Sequence, residues 1–104
     1  MAATLADFRQ ERVRGARFHL ARMQAGRAAS EARYANEPHA LQAERTFWRR
    51  AEANAKGAVI SARALALCAD DTDAAFALTV GLGYDAADAK LAAMEAANTQ
   101  QEAA

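Results

Sequence analysis

The sequence predicts an all-α protein: a long antiparallel helical hairpin, then a short C-terminal helix–loop–helix, assembled as an oligomeric helical bundle. Three observations predict it. Alanine fills 32 of the 104 positions, and Ala is the strongest helix former because it loses no side-chain entropy on folding. The single proline, Pro38, falls between two long stretches of helical periodicity, where it marks a break. No stretch alternates polar and apolar residues in the period of two that a half-buried strand requires. A chain of this length fits one domain, so residues 1–104 read as a single helical unit.

The first helix is expected over residues 5–33. Thr4 is its N-cap, with Asp7 at the capping-box position. At about 100° per residue, Leu5, Val13, Ala16, Leu20, Met23 and Tyr34 share one stripe, with Arg9 and Arg27 passing through its middle. Phe18 points to the opposite side. Gly15 and Gly26 weaken the helix interior. The break falls at residues 35–37, where Asn36 is a good N-cap and Pro38 is tolerated in a first turn.

The second helix is expected over residues 38–69. Leu41, Phe47, Trp48, Val59 and Leu65 fall with the alanines at 51, 55, 58, 62, 66 and 69 in one arc of about 120°. Small residues along that seam let another helix approach closely. The neighbouring face carries Arg45, Arg49, Lys56 and Arg63, with Ile60 and Leu67 beside them. Asp70, Asp71 and Asp73 then stop one helix and cap the next, expected over residues 73–80. Gly81-Leu82-Gly83 breaks it. Asp85 caps a last helix over residues 86–97, with Leu91 and Met94 as its apolar edge, and the polar tail 99–104 frays.

Leu, Ile, Val and Phe together supply only 16 residues. Hydrophobic stabilisation scales with apolar area, so a thin core is expected, and a homodimer would supplement it. Formal net charge is zero, but residues 1–50 hold ten Arg against five acids, and residues 51–104 hold three basic residues against eight acids. Such halves can pair head to tail. Cys68 is the only cysteine, which favours a reducing compartment over secretion. The first residues lack a signal-peptide pattern. No uncharged apolar run reaches membrane-spanning length. The expectation is a cytoplasmic protein with no membrane partner.

Motifs for chemistry are sparse. Gly81 to Ala86 matches G-x-G-x-x-G/A on paper, but that fingerprint needs a preceding strand, and a helix precedes it here. The aspartates at 70, 71 and 73 lack the Gly and Glu of a calcium loop. His19, His39 and Cys68 lack zinc-site spacing. No nucleophile is paired with a base at recognisable spacing. No cofactor, no metal and no catalytic residue is expected, and the protein reads as non-enzymatic.

Two surfaces remain. Arg45, Arg49, Lys56 and Arg63 form a row that could neutralise phosphates of a nucleic acid. Glu52 sits within that row, placed to pair with Arg49 and Lys56 as on a solvated helix face. The seven Arg of the first helix point all round it, whereas a dedicated nucleic-acid helix would concentrate them. Phe18, Ile60 and Leu67 lie outside the main stripes and suggest a second buried surface.

Residues 75–98, with Leu82-Gly83-Tyr84 between two helices, resemble the first two helices of ubiquitin-associated-like domains, which join them by a Gly-aromatic loop. The resemblance covers about a quarter of the chain, and the family's third helix has no counterpart in residues 99–104. It implies a tight helix–loop–helix whose loop meets a protein partner, with Leu82, Gly83 and Tyr84 as contact residues. The expected function is a self-associating helical interaction module: an adaptor, assembly factor or small inhibitor. Nucleic-acid binding through Arg45, Arg49, Lys56 and Arg63 is the alternative.

Overall fold

A computed structural model describes the backbone of residues 2–103 and the side chains of residues 2–101. Among the described residues the secondary structure is entirely helical: α1 (Leu5–Arg33), α2 (Pro38–Leu67), α3 (Thr72–Thr79) and α4 (Tyr84–Ala103). The first two helices pack antiparallel. The ion pairs Arg9–Asp70, Arg27–Glu52 and Arg45–Glu31 show it, because partners descend one helix as they climb the other.

A reciprocal capping box starts α1. The Asp7 N–H donates to Thr4 Oγ1 at 3.1 Å, and the Thr4 N–H donates to Asp7 Oδ2 at 2.9 Å. The helix buries only Val13, Leu20 and Ser30. Ala16, Leu20 and Met23 meet Ala55 and Val59 of α2 in a narrow apolar contact. Arg9 and Arg27, which interrupt the stripe, end on acids of the facing segment. Near the turn the helices come very close: a Cβ added at Gly26 would lie 2.4 Å from the Trp48 ring. The indole Nε1–H donates to Glu44 at 2.9 Å, and the Ser30 hydroxyl donates to the same carboxylate at 3.0 Å. Gly26 is therefore a contact residue, not merely a weak point in the helix.

Glu37, not Asn36, is the N-cap of α2, and no side chain caps it; Pro38 occupies the first turn. The Ala seam is shifted from the expected arc. Ala55, Val59 and Ala62 are buried, but Ala58 and Phe47 are exposed, Phe47 by 60%. Helix α1 approaches on the Val59 side, which leaves the Phe47 edge of the arc in solvent. The helix ends at Leu67, before the expected residue 69. Ala69 (φ 50°) and Asp70 (φ 65°) turn left-handed, and the Asp70 N–H donates to the Leu65 carbonyl at 2.9 Å. This is the Schellman closure that glycine normally serves. Arg9 and Arg12 of α1 both hold the Asp70 carboxylate, which fixes this turn from outside.

Asp71 caps α3 by accepting the Ala74 N–H at 3.1 Å. Helix α4 begins at Tyr84, so Asp85 lies within its first turn instead of capping it. The Gly83 carbonyl accepts the Ala87 N–H at 2.9 Å. The helix runs on to Ala103, so residues 99–103 of the expected frayed tail are helical, and residue 104 lies outside the described residues. Its residues, rich in Ala, Gln and Glu, are good helix formers.

α2 is central: α1, α3 and α4 all pack on it. Ile60 and Ala64 of α2, Ala75 of α3, and Ala87 and Leu91 of α4 form a second core. Between them and α1 lies Arg63, 1% exposed. Its guanidinium donates to Glu95 at 2.7 and 3.1 Å, to the Asp88 carboxylate at 2.5 Å and to the Asp88 carbonyl at 3.3 Å. The Glu95 bonds outweigh the burial penalty and raise the Arg63 pKa above its ordinary value.

Two predictions follow from this packing. Removing both acids strips the guanidinium of its carboxylate partners. Asp88 and Glu95 are themselves 48% and 38% exposed, so water reaches it and the cost stays below the ~3–5 kcal/mol of a fully buried pair, whereas an apolar replacement of similar volume is often tolerated. The D88A/E95A double variant is therefore expected to unfold at lower denaturant than Arg63→Met, with urea unfolding followed by circular dichroism as the measurement. Gly15→Ala meets nothing within 4 Å and should stabilise the chain by about 1 kcal/mol through helix propensity. Gly26→Ala carries the same propensity gain but must displace Trp48, so it should lower the melting temperature. Equal shifts for the two would refute the close contact.

Candidate functional site

The packing of α3–α4 on one half of α2 leaves an apolar groove of about 550 Å³. Gly57, Ile60 and Ala53 of α2 form one side; Phe76 of α3 and Val80 at its C-cap, then Leu82 and Tyr84, form the other. Local sequence makes the shape. Gly57 presents no side chain, so the α2 wall is low. α3 has only eight residues. Ala75 and Leu78 turn to the core, so Phe76 and Val80, four apart, face outward. Gly81 adopts φ 78° and reverses the chain, which sets Leu82 on the rim. Phe76, Val80 and Leu82 are 68%, 55% and 41% exposed. Three large apolar residues on one groove is a high share for a chain this poor in them.

Among the described residues Lys56 is the single charged residue of the lining. Its ammonium lies 5.2 Å from the centre of the Tyr84 ring, a cation–π distance. It also meets Glu52 at 3.5 Å, but Glu52 is held more closely by Arg27 of α1 at 2.9 Å. The Arg27 hydrogen bond, with a smaller part from Lys56, pulls the Glu52 pKa below its usual value. Arg27, rather than the expected Arg49, is the second partner of Glu52.

The structure sorts the sequence candidates. Leu82 and Tyr84 line the groove, and Ile60 lies in its floor. Gly83 adjoins them but serves α4 through its carbonyl. Leu67 is half-buried against the Ile60 core. The second surface suggested by Ile60 and Leu67 is thus covered by the chain's own α3–α4. Phe18 is 67% exposed on α1 and takes no part in the groove. Phe76, Val80 and Gly57 are the groove residues not singled out from sequence. The i,i+4 spacing of Phe76 and Val80 was the available signal, since one short helix cannot turn every large apolar residue to one side.

The basic row does not survive as a unit. Arg63 is buried and paired, which corrects its reading as a solvent-facing phosphate ligand. Arg45 is fixed by two bonds to Glu31 of α1, at 2.8 and 2.9 Å; these raise the Arg45 pKa and lower that of Glu31. Arg49 is exposed and joins none of the ion pairs among the described residues. His19 and His39 are exposed, Cys68 is half-buried, and no metal-holding cluster occurs among the described residues. No helix among them is long and apolar enough to cross a membrane.

The α3–α4 turn has the tight form expected from the sequence, and α4 runs unbroken from Tyr84 to Ala103 with no separate third helix among the described residues. Comparison with protein-family models, with curated proteins and with solved structures returned no match to this chain.

The paired carboxylates give a pH dependence. Glu31, Glu52 and Asp70 all have folded-state pKa values below their ordinary 4.5, 4.5 and 3.8, through hydrogen bonds from Arg45, from Arg27 and from Arg12 with Arg9. A lowered folded pKa stabilises the fold above the ordinary value and loses that contribution as pH falls through the depressed one. Melting temperature should be flat from about pH 7 to 5 and should fall below about pH 4.5. Asp70→Asn should flatten the lower end of that fall; an unchanged profile would show that Asp70 is not paired in solution.

Proposed function

We propose that the protein is a non-enzymatic interaction module that binds another protein through the groove between α2 and the α3–α4 turn. The observation that carries this reading is the cluster of exposed Phe76, Val80 and Leu82 around Tyr84. Contiguous exposed apolar surface in a soluble chain marks contact sites, and an apolar groove between helices suits an inserted side-chain row. The loop that the family resemblance offered as a partner contact supplies two of the groove residues. Adaptor, assembly factor and small inhibitor all share this chemistry.

Nucleic-acid binding by Arg45, Arg49, Lys56 and Arg63 has less support. A phosphate-binding row needs several free cations on one face; here Arg45 and Arg63 are firmly paired and Lys56 is loosely held by Glu52, which leaves Arg49 as the one fully available member among the described residues. Self-association is a separate part of the proposal. With Ile60 and Leu67 covered internally, it rests on Leu5, Phe8, Phe18 and Phe47, which stay exposed.

A photo-crosslinking residue placed at Leu82 should yield a discrete adduct in cells, and Gly57→Leu should remove it by filling the groove. An adduct from position 18 and none from 82 would move the contact surface to α1. Light scattering separates the partner classes: a mass twice that of the 11.1 kDa chain identifies a second copy.

A further inference from the structure

The geometry points to an acidic amphipathic helix of another protein as the occupant of this groove. The inference rests on the reading of the groove as a protein contact and adds the chemistry of what fits it. α3–α4 pack on α2 from Ile60 onward, and Lys56 stands at the groove itself. Arg49 lies two helical turns toward the N-terminus of α2, exposed, about 10 Å away along the axis. Among the described residues Arg49 is exposed without an ion pair, Arg50 beside it likewise, and the one carboxylate Lys56 meets, at long range, is already claimed by Arg27. Among the described residues no carboxylate lines the groove.

Apolar walls therefore run into a positively charged extension in one line. A helix laid along α2 would place apolar side chains at i, i+3 or i+4, and i+7 against Phe76, Val80 and Leu82. Acidic side chains two turns apart on its flank would meet Arg49 and Lys56. A basic helix would bring like charges together, and a neutral one would leave Arg49 without a partner and Lys56 with only Glu52 and the Tyr84 ring. An extended strand has no unpaired sheet edge to join, because the described residues form only helices.

The test is selection from a helical-peptide display library with random charges, using the full chain as bait. Binders are counted only if lost on Gly57→Leu, which fills the groove and replaces a helix-interior glycine, so the fold is retained. Leu82→Asp serves as a second filter, with helicity checked by circular dichroism. The expected result is enrichment of acidic amphipathic sequences with acids seven apart. Their affinity should fall about tenfold on Arg49→Glu, since attraction becomes repulsion, and should weaken between about 0.05 and 0.5 M salt. Groove-dependent binders that are neutral or basic would overturn the acidic-helix inference and leave the interaction reading standing. An absence of groove-dependent binders would overturn both. A chain that dimerises in light scattering and becomes monomeric on Gly57→Leu would make a second copy the occupant and equally overturn the inference.

Discussion

The Arg63 guanidinium, buried between α2 and α4, is the constraint on which the rest of the structure depends. A desolvated cation is costly unless its donors find acceptors, and here Glu95 and Asp88 supply them. The pairing fixes the rotation of α4 and its distance from α2. With α4 in place, Ala87 and Leu91 close over Ile60 and Ala64. The α3–α4 turn is then held beside Gly57, and the groove exists.

The same economy runs through the other half of the molecule. Alanine provides close approach but little area, so α1 and α2 meet through a narrow apolar strip. Specific contacts set the register instead: Arg27 with Glu52, Arg45 with Glu31, and Ser30 and Trp48 on one Glu44 carboxylate. Each exposed pair contributes little alone. Together they define which face of α1 meets α2. Charge of opposite sign in the two halves of the chain is thus used at least partly within one molecule, where the sequence invited pairing between copies.

The α2 helix explains why the site took the form it did. Two of its faces carry cores, one toward α1 and one toward α3–α4. Two large residues that looked like partner contacts, Ile60 and Leu67, are consumed by the second core. The residues left over are those of the short helix α3 and its C-cap, whose geometry cannot turn Phe76 and Val80 inward together with Ala75 and Leu78. Exposure at the groove is a consequence of helix length as much as of composition.

The sequence by itself determined the helical class, the break before Pro38, the Thr4 capping box, an aspartate cap among residues 70–73 and the Gly81–Gly83 break. All of these are set by local propensities and by hydrogen bonds within a few residues, which act before any tertiary contact forms. The groove was legible in part, through Leu82 and Tyr84. Tertiary structure alone decided that Arg63 turns inward, that Gly26 faces Trp48, that Phe47 and Phe18 stay out, and that Phe76 and Val80 line a groove. Helical periodicity assigns a residue to a face but does not say which neighbour, or solvent, that face will meet. For a chain whose faces are mostly alanine, packing against the other helices makes that choice.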